Sequence, residues 1–233
     1  MERTRGSTLA PIFAITGALL LFAGTYLHPM NADPNVPLAA FAEYAADHKW
    51  IATHLMQLSG IALMVAALAL LSRGLAGGPA DVEATLGTVG AAASLAVAAA
   101  LQAVDGVALK AMVDSWASAT GREKEVLFQV AFAVRQIEVG LASMTSLFFG
   151  LTVLVYGLAL IRDSRLPRWL GFLAIVGGAP TAVAGIMMAY SGFSESEMAI
   201  SMPSSSLLLL WMIALGVCMW RKPGVFSPIL GPA

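Results

Sequence analysis

The chain carries little charge and almost no cysteine. Only 12% of its 233 residues are Asp, Glu, Lys or Arg, against about 25% in an ordinary soluble domain. The single cysteine, Cys218, excludes an intramolecular disulfide. A formal net charge of -1 leaves no basic surface for nucleic acid. These shortages exclude a disulfide-stabilised scaffold and a nucleic-acid-binding protein.

Apolar residues dominate instead, at 58% of the chain, with a mean hydropathy of +0.80. Ordinary soluble domains are about 45–50% apolar. A single soluble domain of this length cannot remove so much apolar surface from water. The composition therefore excludes a soluble enzyme and a disordered chain, and it indicates an integral membrane protein.

Six continuous apolar stretches are long enough to cross a bilayer as helices. A spanning helix needs about 20 mainly apolar residues, whereas a transmembrane β-barrel would show alternating segments of about ten. The predicted spans are residues 8–27, 50–71, 84–109, 128–161, 169–190 and 205–220. We predict an all-α integral membrane protein, with a single bundle of six transmembrane helices over residues 1–222 and an irregular cytoplasmic tail over residues 223–233.

Small residues predict where these helices touch, because helices in lipid associate through close packing rather than through exclusion of water. In the first span, Gly17 and Gly24 are seven residues apart and therefore lie on one stripe of the helix. The third span contains a long run of alanine between residues 91 and 100. Both patterns indicate faces for helix–helix contact.

The distribution of charge predicts the orientation, since Lys and Arg near span ends favour the cytoplasm. Eight of the 13 basic residues lie on the same side as both termini, and ten of the 14 acidic residues lie on the opposite side. We therefore expect both termini in the cytoplasm and three loops outside. The expected location is the cell (plasma) membrane, as a multi-pass protein of a bacterial inner membrane.

The first outer loop, residues 28–49, is the longest and predicts a short helical cap. Its first residues include several Pro, Asn and Asp, which favour turns. Asn35 is a candidate N-cap for a helix over residues 37–47. Trp50 then opens the second span, at a position where tryptophan commonly lies in the membrane interface.

Ionisable side chains at membrane depth mark the candidate functional region, because such groups are rare in lipid and usually face a bundle interior. In the fourth span, Arg135 and Glu138 are three residues apart and can pair on one helical face. The third span carries Gln102 and Asp105 at the same spacing. We expect Asp105 to pair with Arg135 of the next helix, and Lys110 to point elsewhere.

All three histidines lie on or near the predicted outer boundary. His54 and Gln57 belong to the second span, His28 follows the first span and His48 precedes the second. Imidazole ligates zinc, copper and iron, and a nearby carboxylate completes or orients such a site. The chain has no Cys-x-x-Cys-His or His-Glu-x-x-His motif, so spacing alone identifies no metal.

Three functions remain open at this point. The first is a polar site near the extracytoplasmic face that binds or passes a small ligand or protons. Its residues would be His54, Gln57, Gln102, Asp105, Arg135 and Glu138. The second is a membrane redox subunit that holds haem or a transition metal through His28, His48 and His54. The third is a structural subunit or scaffold of a membrane complex, without chemistry of its own.

The expected partners follow from these alternatives. The lipid bilayer is common to all three, a small-molecule ligand or a protein subunit is a further partner, and no nucleic acid is expected. The chain has no nucleophile elbow and no Walker A loop. The sequence therefore assigns no catalytic residues.

Overall fold

The computed structural model describes residues 5–226, apart from the side chain of Arg5. Residues 1–4 and 227–233, which include Arg3 and most of the predicted tail, lie outside the described residues. Within the described range the chain forms helices and no strands. Six helical segments are long and apolar enough to cross a membrane. The protein is an all-α, six-span, multi-pass membrane protein, as its hydropathy predicts.

Eight α-helices follow one another along the described chain. They are α1 (Arg5–Leu27), α2 (Pro37–Ala46), α3 (Trp50–Leu75), α4 (Asp81–Gln102), α5 (Lys110–Ser118), α6 (Gly121–Arg162), α7 (Arg168–Ser191) and α8 (Glu195–Arg221). A π-helical segment, Ala103–Leu109, joins α4 to α5, so that Asp81–Ser118 forms one continuous span. A 3-10 turn, Pro223–Phe226, follows α8 and contains the first residues of the predicted tail.

Several helices extend well beyond the predicted spans. Helix α6 has 42 residues, which corresponds to about 63 Å and exceeds a hydrocarbon core of about 30 Å. Helix α8 begins at Glu195 rather than near residue 205, because Ser194 caps it and accepts a hydrogen bond from the amide of Glu197 at 3.3 Å. Pro203 therefore lies inside α8. Hydropathy locates the apolar part of a helix, whereas the caps determine where the helix starts.

Glycine allows α1 and α3 to touch along their backbones. A Cβ on Gly60 would lie 2.7 Å from the carbonyl oxygen of Gly17, and a Cβ on Gly17 would lie 2.7 Å from that of Gly60. A Cβ on Gly24 would lie 2.8 Å from Cγ of Gln57. The predicted stripe of Gly17 and Gly24 is thus the contact face of α1 with α3.

The predicted cap is α2, which covers the end of the bundle that carries the loop after α1. We call this end the outer end, after the predicted orientation. The N-cap of α2 is Val36 and not Asn35. The side-chain Nδ2 of Asn35 instead donates a hydrogen bond to the carbonyl of Phe193 at 2.7 Å. The side chain predicted to cap α2 therefore ties the loop to the turn between α7 and α8.

Lys110 makes its polar contacts away from Asp105, as its spacing predicts, and it anchors α2 to the third span. Its Nζ donates hydrogen bonds to the carbonyls of Tyr44 and Ala45 at 3.0 and 2.9 Å, and to the carboxylate of Asp114 at 2.7 Å. The side chain is buried, at 8% exposure. Because the last carbonyls of α2 lack partners within the helix, a buried ammonium group is well placed to satisfy them.

Glu43 of α2 fixes the first part of the same loop. Its carboxylate accepts hydrogen bonds from the backbone and side-chain nitrogens of Asn31 at 3.0 and 2.9 Å, and from the backbone of Ala32 at 2.9 Å. Burial by itself raises the pKa of Glu43, but these hydrogen bonds outweigh it and hold the pKa below its usual value. The residues that follow His28 are thereby held against α2.

Cysteine labelling tests the predicted orientation. In a Cys218→Ser background, Ala76→Cys places a thiol between α3 and α4, and Ser196→Cys places one in the first turn of α8. Both positions are exposed. With both termini in the cytoplasm, a membrane-impermeant maleimide added to intact cells should label Ser196→Cys alone. Labelling of Ala76→Cys instead, without permeabilisation, would reverse the orientation.

Candidate functional site

His54 lies in the second turn of α3 and is almost completely buried, at 2% exposure. Its Nδ1 is 2.7 Å from the carbonyl oxygen of Trp50, one turn earlier, and its Nε2 is 3.1 Å from Oδ2 of Asp105. A carbonyl oxygen only accepts hydrogen bonds, so Nδ1 is the donor. The backbone therefore fixes the imidazole with its Nε2 towards the carboxylate.

Asp105 reaches His54 because the span is locally π-helical there, over Ala103–Leu109. Segments of π-helix inside α-helices are frequent at functional sites. Gly106 lies directly against α3, since a Cβ on this residue would be 2.6 Å from Cβ of His54. The indole Nε1 of Trp50 donates a hydrogen bond to the backbone carbonyl of Asp105 at 2.9 Å. The absence of a side chain at Gly106 lets the segment pack against α3, and the hydrogen bond from Trp50 holds it there.

His28 joins this group from the end of α1. Its Nδ1 is 2.8 Å from the carbonyl oxygen of Pro29, so the same nitrogen as in His54 is the donor. Its ring centroid lies 5.0 Å from that of His54 and 4.6 Å from that of Trp50. Burial, together with the neighbouring His54, lowers the pKa of His28 below its ordinary value of 6.5. The neutral ring, with a free lone pair on Nε2, is the favoured form at neutral pH.

The donor atoms of His28, His54 and Asp105 all lie within 4.8 Å of one another. We call these residues the His–Asp cluster. Oδ1 of Asp105 is buried and has no hydrogen-bond partner among the described residues. A buried carboxylate oxygen without a partner is costly, and a cation is one partner that satisfies it. Two imidazoles and one carboxylate form a ligand set that binds zinc or ferrous iron with coordination positions left open.

The expected ion pair between Asp105 and Arg135 is not formed. Arg135 pairs with Glu138 on its own helix, as the spacing of three residues predicts, and both side chains are buried. The guanidinium lies over the rings of Tyr44 and Phe193, 5.7 and 5.0 Å from their centroids. Burial raises the pKa of Tyr44 to about 12, so this phenol is uncharged at neutral pH. The charge of Arg135 is thus compensated without the cluster.

Gln57 and Gln102 form a separate pair between α3 and the third span. Nε2 of Gln102 donates a hydrogen bond to Oε1 of Gln57 at 3.2 Å. His48 is exposed and does not belong to the His–Asp cluster. The predicted site residues therefore form the His–Asp cluster and two separate pairs, Arg135 with Glu138 and Gln57 with Gln102. Of the three histidines, only His28 and His54 lie together.

Trp50 is the main residue of the site that the sequence analysis did not count among the candidates. It is buried among the helices, at 1% exposure. Its ring lies 4.6 Å from those of His28 and His54 and 4.4 Å from that of Tyr44, measured between centroids. Trp50 and His54 are one helical turn apart and share a face of α3, which is the signal that could have identified it.

Replacement of the indole tests its role as a positioning group. Trp50→Phe keeps an aromatic ring but leaves the buried carbonyl of Asp105 without its donor, which costs about 1–3 kcal/mol. We expect the Tm of the detergent-solubilised protein to fall by at least about 2 °C. Trp116→Phe is the matched control, because Trp116 packs in the same aromatic region but makes no indole hydrogen bond among the described residues. Equal falls in Tm for the two variants would contradict this role.

Comparison with known proteins places the chain in a family. Residues 9–216 match the family described as Domain of unknown function (DUF4386). No curated protein and no solved structure is significantly similar to the chain. The matched region covers most of the chain and contains every residue of the His–Asp cluster. The chain therefore belongs to the DUF4386 family.

Proposed function

We propose that the outer end of the bundle binds one divalent transition-metal ion, such as Zn²⁺, through His28, His54 and Asp105. The convergence of the three donors, within 4.8 Å of one another, carries this proposal. Bonds of about 2.0–2.2 Å to a tetrahedral ion place its ligand atoms about 3.4 Å apart. Small movements of the side chains therefore suffice to close the site around the ion.

The hydrogen bonds behind the ligands support the same function. Each imidazole directs its Nδ1 at a backbone carbonyl, at 2.7 Å for His54 and 2.8 Å for His28. Such outer hydrogen bonds orient metal-ligating histidines and fix the nitrogen that binds the metal. Both Nε2 atoms are then available as ligands, and the free oxygen of Asp105 supplies the negative charge that a divalent ion needs.

A single ion fits this arrangement better than haem does. Two axial ligands of a haem face each other across the plane of the porphyrin. The rings of His28 and His54 meet edge to face, at 62° and 5.0 Å between centroids, and the ring of Trp50 packs against both of them. We therefore favour a mononuclear metal centre over the haem-binding alternative.

A second candidate function rests on the hydrogen bond between His54 and Asp105, at 3.1 Å. An imidazole and a carboxylate in contact can share a proton, and such pairs are the usual components of proton relays in membranes. A metal ion would displace this proton, because ligands must be deprotonated to bind it. Metal binding and proton sharing are therefore competing states of one pair.

Metal analysis of the purified protein tests the primary proposal. Protein in mild detergent is stripped with a chelator, equilibrated with Zn²⁺ and analysed for bound metal. We expect about one zinc per chain in the wild type. Loss of a ligand in His54→Ala or Asp105→Asn should weaken zinc binding by at least about tenfold, since even changes to outer hydrogen-bonding partners cost about 10–100-fold. Zinc should also raise the Tm of the wild type alone among these three proteins.

His48→Ala is the matched control for these variants. His48 is also a histidine at the outer end, but it is exposed and lies outside the His–Asp cluster. This variant should bind zinc like the wild type. A wild type that takes up no zinc, or a His54→Ala protein that binds as much as His48→Ala, would contradict the proposal. A Soret band in the freshly purified protein would favour haem instead.

A further inference from the structure

A cavity of about 830 Å³ lies within the outer half of the bundle and reaches the surface beside His28. Its size falls within the range of about 300–1,000 Å³ that is typical of small-molecule sites. The lining contains no Asp, Glu, Lys or Arg, and most of its surface is apolar although nine of its side chains carry a hydroxyl group. Such a lining suits an apolar chain rather than a polar solute.

The packing of α1 against α8 determines where this cavity opens. Near the inner end the two helices touch, since a Cβ on Gly216 would lie 2.7 Å from Cγ1 of Ile15 and 3.1 Å from the carbonyl oxygen of Pro11. Nearer the outer end the cavity separates them, and wall residues of both helices are exposed. These exposed wall residues are Phe22, Thr25, Tyr26, Met202, Ser205 and Ser206. The cavity therefore opens sideways, towards the lipid.

The length of the cavity matches the hydrocarbon of one leaflet. Its wall on α8 runs from Ser201 to Leu209, which corresponds to about 12 Å along a helix. One leaflet contributes about 15 Å of the hydrocarbon core. An alkyl chain that lies parallel to the helices would therefore occupy the cavity without leaving the depth that it has in the bilayer.

His28 connects the cavity to the His–Asp cluster, because it belongs to both. Two neutral imidazoles, one carboxylate and a divalent ion together carry a net charge of +1. Three protein ligands also leave at least one coordination position of the ion open. A ligand that enters along the cavity would meet this position with its end group, and the positive charge favours an anionic oxygen there.

We propose that the cavity binds an amphipathic lipid, with its alkyl chain between α1 and α8 and its anionic carboxylate or phosphate oxygen on the metal held beside His28. This inference rests on the metal centre proposed above. A free fatty acid and a lysophospholipid share the required chemistry, which is one anionic oxygen head and one alkyl chain.

Binding of radiolabelled oleate to the full-length protein in neutral detergent tests the inference. Zinc-loaded wild type should bind oleate, and removal of zinc with a chelator should weaken binding by at least about tenfold, because the head group then loses its ligand. Oleyl alcohol, which has the same chain and a neutral head, should compete at least about tenfold more weakly than oleate. Competition by lysophosphatidate against oleate shows which anionic head the site prefers, and either preference agrees with the inference.

Two variants separate the cavity from the metal. Ser205→Trp fills the opening, whereas Leu210→Trp places the same ring on an exposed position of α8 outside the lining. Both should bind zinc like the wild type. Oleate binding should fall by at least about tenfold in Ser205→Trp but not in Leu210→Trp, because the ring at position 205 occupies space that the alkyl chain needs. Ala98→Leu, on the α4 wall, should reproduce this loss.

The outcomes distinguish this inference from the metal proposal. Absence of zinc from the wild type would overturn both. Normal zinc binding with equal oleate affinity in Ser205→Trp and Leu210→Trp, or with equal affinity before and after chelation, would overturn the lipid site and leave the metal centre intact. Equal competition by oleyl alcohol would likewise overturn the role given to the anionic head.

Discussion

Gly106 lets the π-helical segment lie directly against His54, and the arrangement of the outer end follows from this contact. A Cβ at Gly106 would be 2.6 Å from Cβ of His54, so any other residue would push the third span away from α3. The same approach brings Asp105 to the imidazole at 3.1 Å and its carbonyl to the indole of Trp50 at 2.9 Å. One backbone contact therefore brings Asp105 to His54 and also allows the hydrogen bond from Trp50 that holds the segment in place.

The apolar surroundings explain why the polar groups of the bundle occur in pairs. Hydrocarbon offers no water to satisfy a polar side chain, so each one must find its partner within the protein. Arg135 and Glu138 pair within α6, and Gln102 pairs with Gln57 across two helices. Oε1 of Gln102 and Oδ1 of Asp105 are both buried without a partner among the described residues, but of these two groups only the carboxylate of Asp105 lies beside two imidazoles. That difference directs the functional argument to Asp105 rather than to the other buried pairs.

Local patterns in the sequence were sufficient for the spans, the cap helix and the pair of Arg135 with Glu138, since each depends on neighbours within one or two helical turns. The grouping of His28, His54 and Asp105 depends on contacts between three segments, and no spacing reveals it. Counting by α-helical turns also gave Asp105 the wrong partner, Arg135, because a π-helical segment changes the angular position of the residues within it. The partners of Lys110 and Trp50 could not be assigned for a related reason: both side chains are amphipathic, and an interface and a core suit them equally until the neighbours are known.

The His–Asp cluster lies between a closed side and an open one. On the closed side, Lys110 holds α2 over the third span, and the rings of Tyr44 and Trp50 pack beside the histidines with their centroids 4.4 Å apart. On the open side, His28 is the cluster residue that also lines the cavity. The cap would shield a cofactor in this position from bulk water, and a ligand would reach it from the lipid. Because charge interactions strengthen where water is excluded, an ion here would attract an anionic group more strongly than it would at the aqueous surface.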